Sequence, residues 1–347
     1  MVATRLASEL ARRGHQVHFL SYSRPYAFTE DQKYMHIHQV PKDTYALFQD
    51  IGNLYTIKLA NSIAKIMKDY DINIFNSHYG IPHSTSAFLA KQITPFESVT
   101  TLHGSDTHLL GKADAFNALM RVSLESDYTV TAVSNFLANL AFQVFHLSKR
   151  PTVIYDWIDT KEFAPGPEER EKVIIHASNF RKIKRIPYLI DLFAKVASDF
   201  PEWKLRLIGD GPERQMCYRK ALLLNLGDRI DFIDPIREIP QAFQNAAILV
   251  ATSEMESFGL TLGEAMSTET PVITSDVGGT SEVCVDGKTG YLFQPNDMDE
   301  AVGKLRKLME DEDLRRKFGK AGRQRIIEKF SVDHIVNQYL DLYKKME

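Results

Sequence analysis

Two doubly wound parallel α/β domains in series are specified by the patterning of this chain, on three grounds. Its 347 residues exceed the roughly 250–300 at which one hydrophobic core stops growing. Short apolar, β-rich runs alternate with helical patterns from end to end, the signature of βαβ units. The alternation is punctuated at Phe163-Ala164-Pro165-Gly166-Pro167 and the charged run Glu168 to Lys172, after which it restarts.

Thr4 to Arg13 is an amphipathic helical pattern closed by Gly14, and a strand pattern follows directly at Val17 to Leu20. A doubly wound domain ordinarily starts with a strand and a glycine-rich turn, so the first strand of the N-terminal domain is expected to be missing. The alternative is a domain that begins with a helix. Further strands are expected at Ile72–Phe75, Ser98–Leu102 and Tyr128–Thr131, which with the helices between them make a first domain over 1–165. The second domain, 166–331, is expected to carry strands at Val173–His176, Leu205–Ile208, Ile230–Ile233, Ala247–Val250 and Pro271–Thr274. An amphipathic helix over Val332 to Tyr343 follows Phe330-Ser331. Two such sheets are expected to face a cleft, with ligands at the carboxyl ends of the strands.

Composition excludes several function classes. An apolar share of 44%, a charged share of 25% and a net charge of -3 describe a soluble globular chain without the basic footprint of a nucleic-acid binder. Cys217 and Cys284, the 2 cysteines, are too few for a disulfide framework and lack metal-ligand spacing, which points to a reducing, cytoplasmic setting. No run of about eighteen uncharged apolar residues is present, so no membrane insertion is expected. His36, His38, His78 and His83 lack companion carboxylates, and no metal site is expected.

The densest chemical signal is Glu256-Ser257-Phe258-Gly259-Leu260-Thr261-Leu262-Gly263-Glu264, a loop running into a helix. Amides of Ser257 to Leu260 at a helix N-terminus suit a diphosphate, with Ser257 able to cap and Gly259 permitting close approach. Glu264 lies about two turns on and would reach a different part of the same ligand. Alone, the two glutamates read as a first-turn acid and a solvated helix face. Ser178-Asn179-Phe180-Arg181-Lys182-Ile183-Lys184-Arg185 follows the first strand of the second domain on the same carboxyl-end face. Its cations suit charge developing on a departing diphosphate; alone, they read as a solvated basic turn. Gly209-Asp210-Gly211-Pro212 and Val277-Gly278-Gly279-Thr280 are turn signals after two further strands. In the first domain, His78-Tyr79-Gly80-Ile81-Pro82-His83 and His103-Gly104-Ser105-Asp106 follow strands, where a histidine can serve a sugar hydroxyl or an anionic oxygen.

Taken together, these loops resemble the retaining glycosyltransferases of family four, with the twin-domain GT-B fold, over essentially the whole chain. Within that family, His78-Tyr79, Ile81-Pro82-His83, Thr100-Thr101-Leu102-His103-Gly104, Thr131-Ala132-Val133-Ser134 and Ser178-Asn179-Phe180-Arg181-Lys182 are similar to the branch that transfers N-acetylglucosamine from UDP to the hydroxyl of L-malate, in bacillithiol biosynthesis.

The resemblance implies a role for each motif. Glu256 is the carboxylate near the transferred sugar, Glu264 accepts from the ribose hydroxyls, and the Phe258, Gly259 and Leu260 amides bind phosphate together with Ser257, Gly209 and Gly211. Arg181 and Lys184 neutralise the diphosphate, and His103 binds the donor sugar. Tyr79, Thr101, Asn179 and Arg181 are the candidates for malate, with Asn179 where many relatives carry arginine. The implied mechanism is front-side displacement, in which the departing β-phosphate takes the acceptor's proton while the sugar becomes oxocarbenium-like. No cofactor beyond the UDP-sugar is implied, the partners are UDP-GlcNAc and L-malate, and a homodimer is compatible. The helix over Val332 to Tyr343 is expected to return to the first domain. Departures from the family pattern are Asp156-Trp157, Asp234-Pro235 after the strand bordering the nucleobase, and Ser281. Rival readings are a family-four transferase with another sugar or acceptor, a UDP-sugar 2-epimerase, and a non-catalytic nucleotide-sugar binder.

Overall fold

The structure is a computed structural model that describes residues 2–24, 33–41, 55–111 and 114–346. Two compact units divide it: Met1–Tyr155 with Ile335–Glu347, and Asp156–His334. The division falls upstream of Pro165 because the intervening segment packs on the second unit. Ile158 N–H donates to Phe330 O at 2.8 Å, and Phe163 O accepts from Ser267 Oγ at 2.7 Å.

In the first unit, α1 (Val2–Arg12) leads into β1 (Val17–Ser21), which pairs in parallel with β2 (Met35–Gln39) as a separate two-stranded sheet. After α2 (Tyr55–Asp69), the strands β3 (Ile74–His78), β4 (Glu97–Leu102), β5 (Thr129–Ala132) and β6 (Thr152–Val153) form a second parallel sheet in that order. Connecting them are α3 (Thr85–Lys91), α4 (Asp114–Glu125) and α5 (Asn135–Val144), the last capped by Ser134 Oγ accepting from Leu137 N–H at 3.1 Å. Leu59, Ile63 and Met67 of α2 share one core with Val40, Leu20 and Phe75, so this helix joins the two sheets through apolar contact. The strand expected from Ile72 starts two residues later, since Ile72 N–H is spent on Met67 O at 2.9 Å, closing α2. From Ile335 onward, α13 (Val332–Lys344) belongs to this unit: Tyr339 is buried, and Tyr343 Oη accepts from Asn76 Nδ2 at 2.6 Å.

The second unit holds β7 (Glu171–Ala177), β8 (Lys204–Ile208), β9 (Ile230–Ile233), β10 (Ala246–Ala251), β11 (Val272–Ser275) and β12 (Gly290–Phe293) in one parallel sheet, ordered β12-β11-β10-β7-β8-β9. That is the doubly wound order, and its direction reverses between β7 and β10. Flanking helices are α6 (Ile186–Ala197), α7 (Arg214–Leu223), α8 (Ile239–Asn245), α9 (Leu260–Ser267), α10 (Thr280–Val283), α11 (Met298–Glu310) and α12 (Glu312–Phe330). Ile174, Leu205, Leu207, Ile248 and Val250 meet Leu189, Phe193 and Val196 of α6 and Leu305 and Leu308 of α11 in the core. Near-continuous apolar strands are what a sheet covered on both faces requires. Asp297 and Asp311 start α11 and α12 by accepting from Glu300 N–H at 2.9 Å and Leu314 N–H at 2.8 Å. No helix among the described residues is long and apolar enough to cross a membrane.

Candidate functional site

The point where strand order reverses in a doubly wound sheet leaves room for a ligand beyond the strand ends. Here the loops after β7 and β10 meet there and bind one another. Glu254 N–H donates to Ile183 O at 2.7 Å, while Thr252 Oγ1 donates to Lys184 O at 3.2 Å and Arg185 O at 3.1 Å. Lys184 Nζ and Glu256 Oε1 form an ion pair at 2.6 Å, and Ser253 Oγ donates to the same oxygen at 2.7 Å. Asn179 and Arg181 are exposed on the basic loop. Arg185 is not available to a diphosphate in the way its neighbours are. Its guanidinium reaches Pro295 O at 2.6 Å and Asn296 Oδ1 at 3.1 Å and lies over the Tyr188 ring.

His176, at the end of β7, anchors the start of that loop. Its Nδ1 lies 2.9 Å from Val250 O and its Nε2 2.9 Å from Ser178 Oγ. Burial holds its pKa down at about 4, so the ring is neutral at pH 7. A carbonyl only accepts, so Nδ1 carries the proton and Nε2 accepts from the Ser178 hydroxyl.

Three glycines fit these loops together main chain to main chain. At Gly209, φ is +128° and a Cβ would stand 1.9 Å from Ser178 O; at Gly211, φ is +154° and a Cβ would stand 2.9 Å from Phe180 N. Gly278, at φ +61°, would place a Cβ 1.9 Å from Glu256 O, and Gly279 N–H donates to that oxygen at 2.9 Å. Gly209 and Gly211, expected as donor contacts, thus bear on the basic loop itself.

Gly259, with φ 103° and ψ 53°, occupies the N-cap of α9, and no side chain caps that helix. Ser257, expected as the cap, stands outside the helix two residues earlier. The left-handed conformation at Gly259 is what a glycine supplies without steric cost. The Leu262 and Gly263 amides turn back to Gly259 O at 3.0 and 3.1 Å, and Leu260 begins the helix. Phe258 is buried with its ring edge-on to Phe330 at 5.3 Å, so the contact it can offer a ligand is its main chain. Glu264 sits partly buried on α9. Asp234 pairs with Arg214 at 2.5 Å, which accounts for an acid at this strand end.

In the first unit, the strand pairing of β3 with β4 places His78 opposite Thr101. His78 Nδ1 and His103 Nε2 are 2.9 Å apart, with the rings stacked at 5.2 Å. The Tyr79 ring lies 5.7 Å from His103, and its Oη accepts from Ser105 Oγ at 3.1 Å. Tyr79 is 39% exposed and adopts φ +87°, a conformation that costs a bulky residue of order 1–3 kcal/mol and persists only where surroundings over-determine it. Tyr79 N–H donates to Thr101 O at 3.1 Å. Asp106, fully buried, accepts from the amides of Gly104 at 2.9 Å, Thr107 at 3.0 Å and His103 at 3.3 Å. Burial pushes its pKa up, opposed by those amides.

Thr101 corrects an expectation. It is 0% exposed, its Oγ1 accepts from Thr131 Oγ1 at 2.9 Å and lies 3.4 Å from both Asn76 Oδ1 and Tyr339 Oη. Its side chain is therefore a framework element beneath α13, not a surface for an acceptor. Asp106, His176, Ser253 and Gly278 carry the site's geometry without having been assigned a role from sequence. Each sat inside or beside a singled-out motif, but what they hold, the Gly104 and Thr107 amides for Asp106, Val250 O for His176 and the Glu256 carboxylate for Ser253, follows from loop geometry and not from a spacing rule.

Two Rossmann-like units in one chain, the second with a cationic loop and a helix N-terminus at its reversal point, define a GT-B protein. Residues 158–325 match the model described as glycosyl transferases group 1, and residues 1–162 match glycosyltransferase family 4. The chain is 34% identical, over 99% of its length and 92% of the relative's, to an N-acetyl-alpha-D-glucosaminyl L-malate synthase of Bacillus anthracis. It therefore belongs to the family-4 glycosyltransferases. In fold it is similar to a sucrose-phosphate synthase from Thermosynechococcus elongatus, with TM-score 0.84, 21% identity and coverage of 99% and 92%. It is likewise similar to Anabaena HepE in complex with UDP, with TM-score 0.79, 18% identity and coverage of 99% and 96%.

Proposed function

We propose that this glycosyltransferase moves N-acetylglucosamine from UDP-N-acetylglucosamine to the hydroxyl of L-malate with retention at the anomeric carbon. The observation that carries the donor half is the Lys184–Glu256 pair at 2.6 Å, set where the loops after β7 and β10 bind one another. Kinship to the malate synthase supports the acceptor half.

The roles follow from the chemistry each group can supply. Lys184 and Arg181 stabilise charge developing on the departing diphosphate, with the Gly259 and Leu260 amides at the start of α9. Glu256 faces the transferred sugar's hydroxyls, and Glu264 serves the ribose. In the first unit, His103 offers a neutral imidazole to the donor sugar, because burial holds its pKa down at about 4. Tyr79, Asn179 and Arg181 serve the malate, whose two carboxylates gain from the guanidinium fork. The β-phosphate oxygen takes the malate hydroxyl proton as the glycosidic bond to UDP breaks and the new one forms on the same face. The free cysteines are both buried, which suits a reducing cytoplasm.

The test is UDP release from UDP-N-acetylglucosamine with and without L-malate. Malate-dependent release with an N-acetylglucosaminyl-malate product supports the proposal. UDP binding with no response to malate overturns the acceptor, leaving a family-4 transferase for a different hydroxyl compound.

A further inference from the structure

His103 is held at its backbone and at its ring by groups of its own unit. Asp106 Oδ2 takes its backbone N–H at 3.3 Å, the Tyr79 ring lies at 5.7 Å, and His78 stacks at 5.2 Å with 20° between planes. On the imidazole nitrogens, His78 Nδ1 approaches His103 Nε2 to 2.9 Å. Between two neutral rings, one nitrogen must donate and the other accept. Whichever nitrogen donates, this bond ties the tautomer of His103 to that of His78 and fixes the ring plane.

We propose that His78 is the positioning residue of His103, selecting one tautomer and one ring orientation through its Nδ1. The proposal rests on the assignment of His103 to the donor sugar.

The local backbone is built for such a task. His78 is the last residue of β3, locked in register opposite Thr101. The next residue, Tyr79, is held at φ +87°, and the one after, Gly80, could carry no Cβ without meeting Met120 Cε at 2.0 Å. His83 is hydrogen-bonded to the His78 main chain. A strained, closely packed turn fixes where the His78 ring stands. A pair serving packing alone would gain from two apolar rings, which leave no buried nitrogen to satisfy.

The test compares His78→Asn with His78→Gln, both polar and uncharged. The asparagine amide falls near the place of Nδ1, and the glutamine amide near that of Nε2. In wild type, with all 11 histidines labelled with nitrogen-15 and the His103 signal identified by its loss in His103→Gln, the two ring nitrogens should show well-separated shifts of one tautomer. His78→Asn should keep that separation and most of the rate. His78→Gln should collapse it toward the averaged shifts of exchanging tautomers. Its kcat for UDP release should fall of the order of 10- to 100-fold, as for lost orienting partners elsewhere, while KM for the UDP-sugar moves less than about threefold. Equal behaviour of the two variants, in shifts or in kcat, overturns the proposal. The ring shifts need neither substrate, so failure of malate as acceptor would leave this result standing and be recognised as a separate failure.

Discussion

Lys184 and Glu256, 72 residues apart in sequence, share a 2.6 Å ion pair in which both side chains keep about a fifth of their surface exposed, 23% and 19%. A pair so placed adds little to stability, of order 0–1 kcal/mol, but it holds a cation and a carboxylate together where the loops after β7 and β10 meet, the place proposed for the donor. Lys184→Met and Glu256→Gln should each lower kcat by about 100-fold or more, with the thermal midpoint nearly unchanged. If the two act as a unit, the double variant should lose far less than the product of the singles. Initial rates of UDP release for the four proteins give the answer, and strict multiplicativity would show that the groups work independently.

Gly278→Ala and Gly287→Ala form a matched pair. Their φ values are +61° and +68°, but a Cβ on Gly278 would sit 1.9 Å from Glu256 O, whereas one on Gly287 meets nothing within 4 Å. Both incur the left-handed backbone cost of about 1 kcal/mol. Only Gly278→Ala must also displace the Glu256 main chain, so it should lose activity at least about tenfold and more stability than its counterpart. Urea unfolding and UDP-release rates side by side check this; equal effects would mean the contact has slack.

His176 makes stability pH-dependent. Its pKa lies near 4 in the folded state against an ordinary value of 6.5, so between those pH values the unfolded chain binds a proton that the folded chain does not. Stability is therefore complete above about 6.5 and lost as pH falls toward 4, by up to about 3 kcal/mol. His176→Asn keeps a donor for Val250 O and does not titrate. Its denaturant midpoint should fall less steeply than wild type over that window, and parallel slopes would refute the assignment.

Thr101→Val should cost about 1–2 kcal/mol of stability, because it strips a buried hydroxyl from Asn76, Thr131 and Tyr339. The KM for the acceptor should stay within about twofold. A selective rise in that KM with unchanged stability would restore Thr101 to the acceptor site.

Most of the second unit was legible because its strands are buried on both faces and read as apolar runs; Ile230–Ile233 is found at its expected bounds. The strand Met35–Gln39 was not, since Met35-His36-Ile37-His38-Gln39 alternates with histidine and carries weak β character. Gly290–Phe293 was equally hidden, a short edge strand after a turn. At the site, the singled-out Glu256 and Lys184 come together, but nothing in their spacing announces that Ser253 joins them. Thr101 was expected in a strand, as found, and was offered to the acceptor by resemblance; that its side chain is sealed by a helix, with Tyr339 Oη 238 positions away, is a fact of tertiary packing alone.

Gly209, Gly211 and Gly278 also bear on how such a unit can diversify. With main chain pressed on main chain at those points, the loops after β7, β8, β10 and β11 behave as one casting: lengthening or re-aiming any of them displaces the others. New specificities are then reached by exchanging outward side chains such as Asn179 and Arg181 on an unchanged frame. Insertions and deletions in these four loops are expected to be rare for the same reason, since each would have to be matched by a change in the loop it presses on.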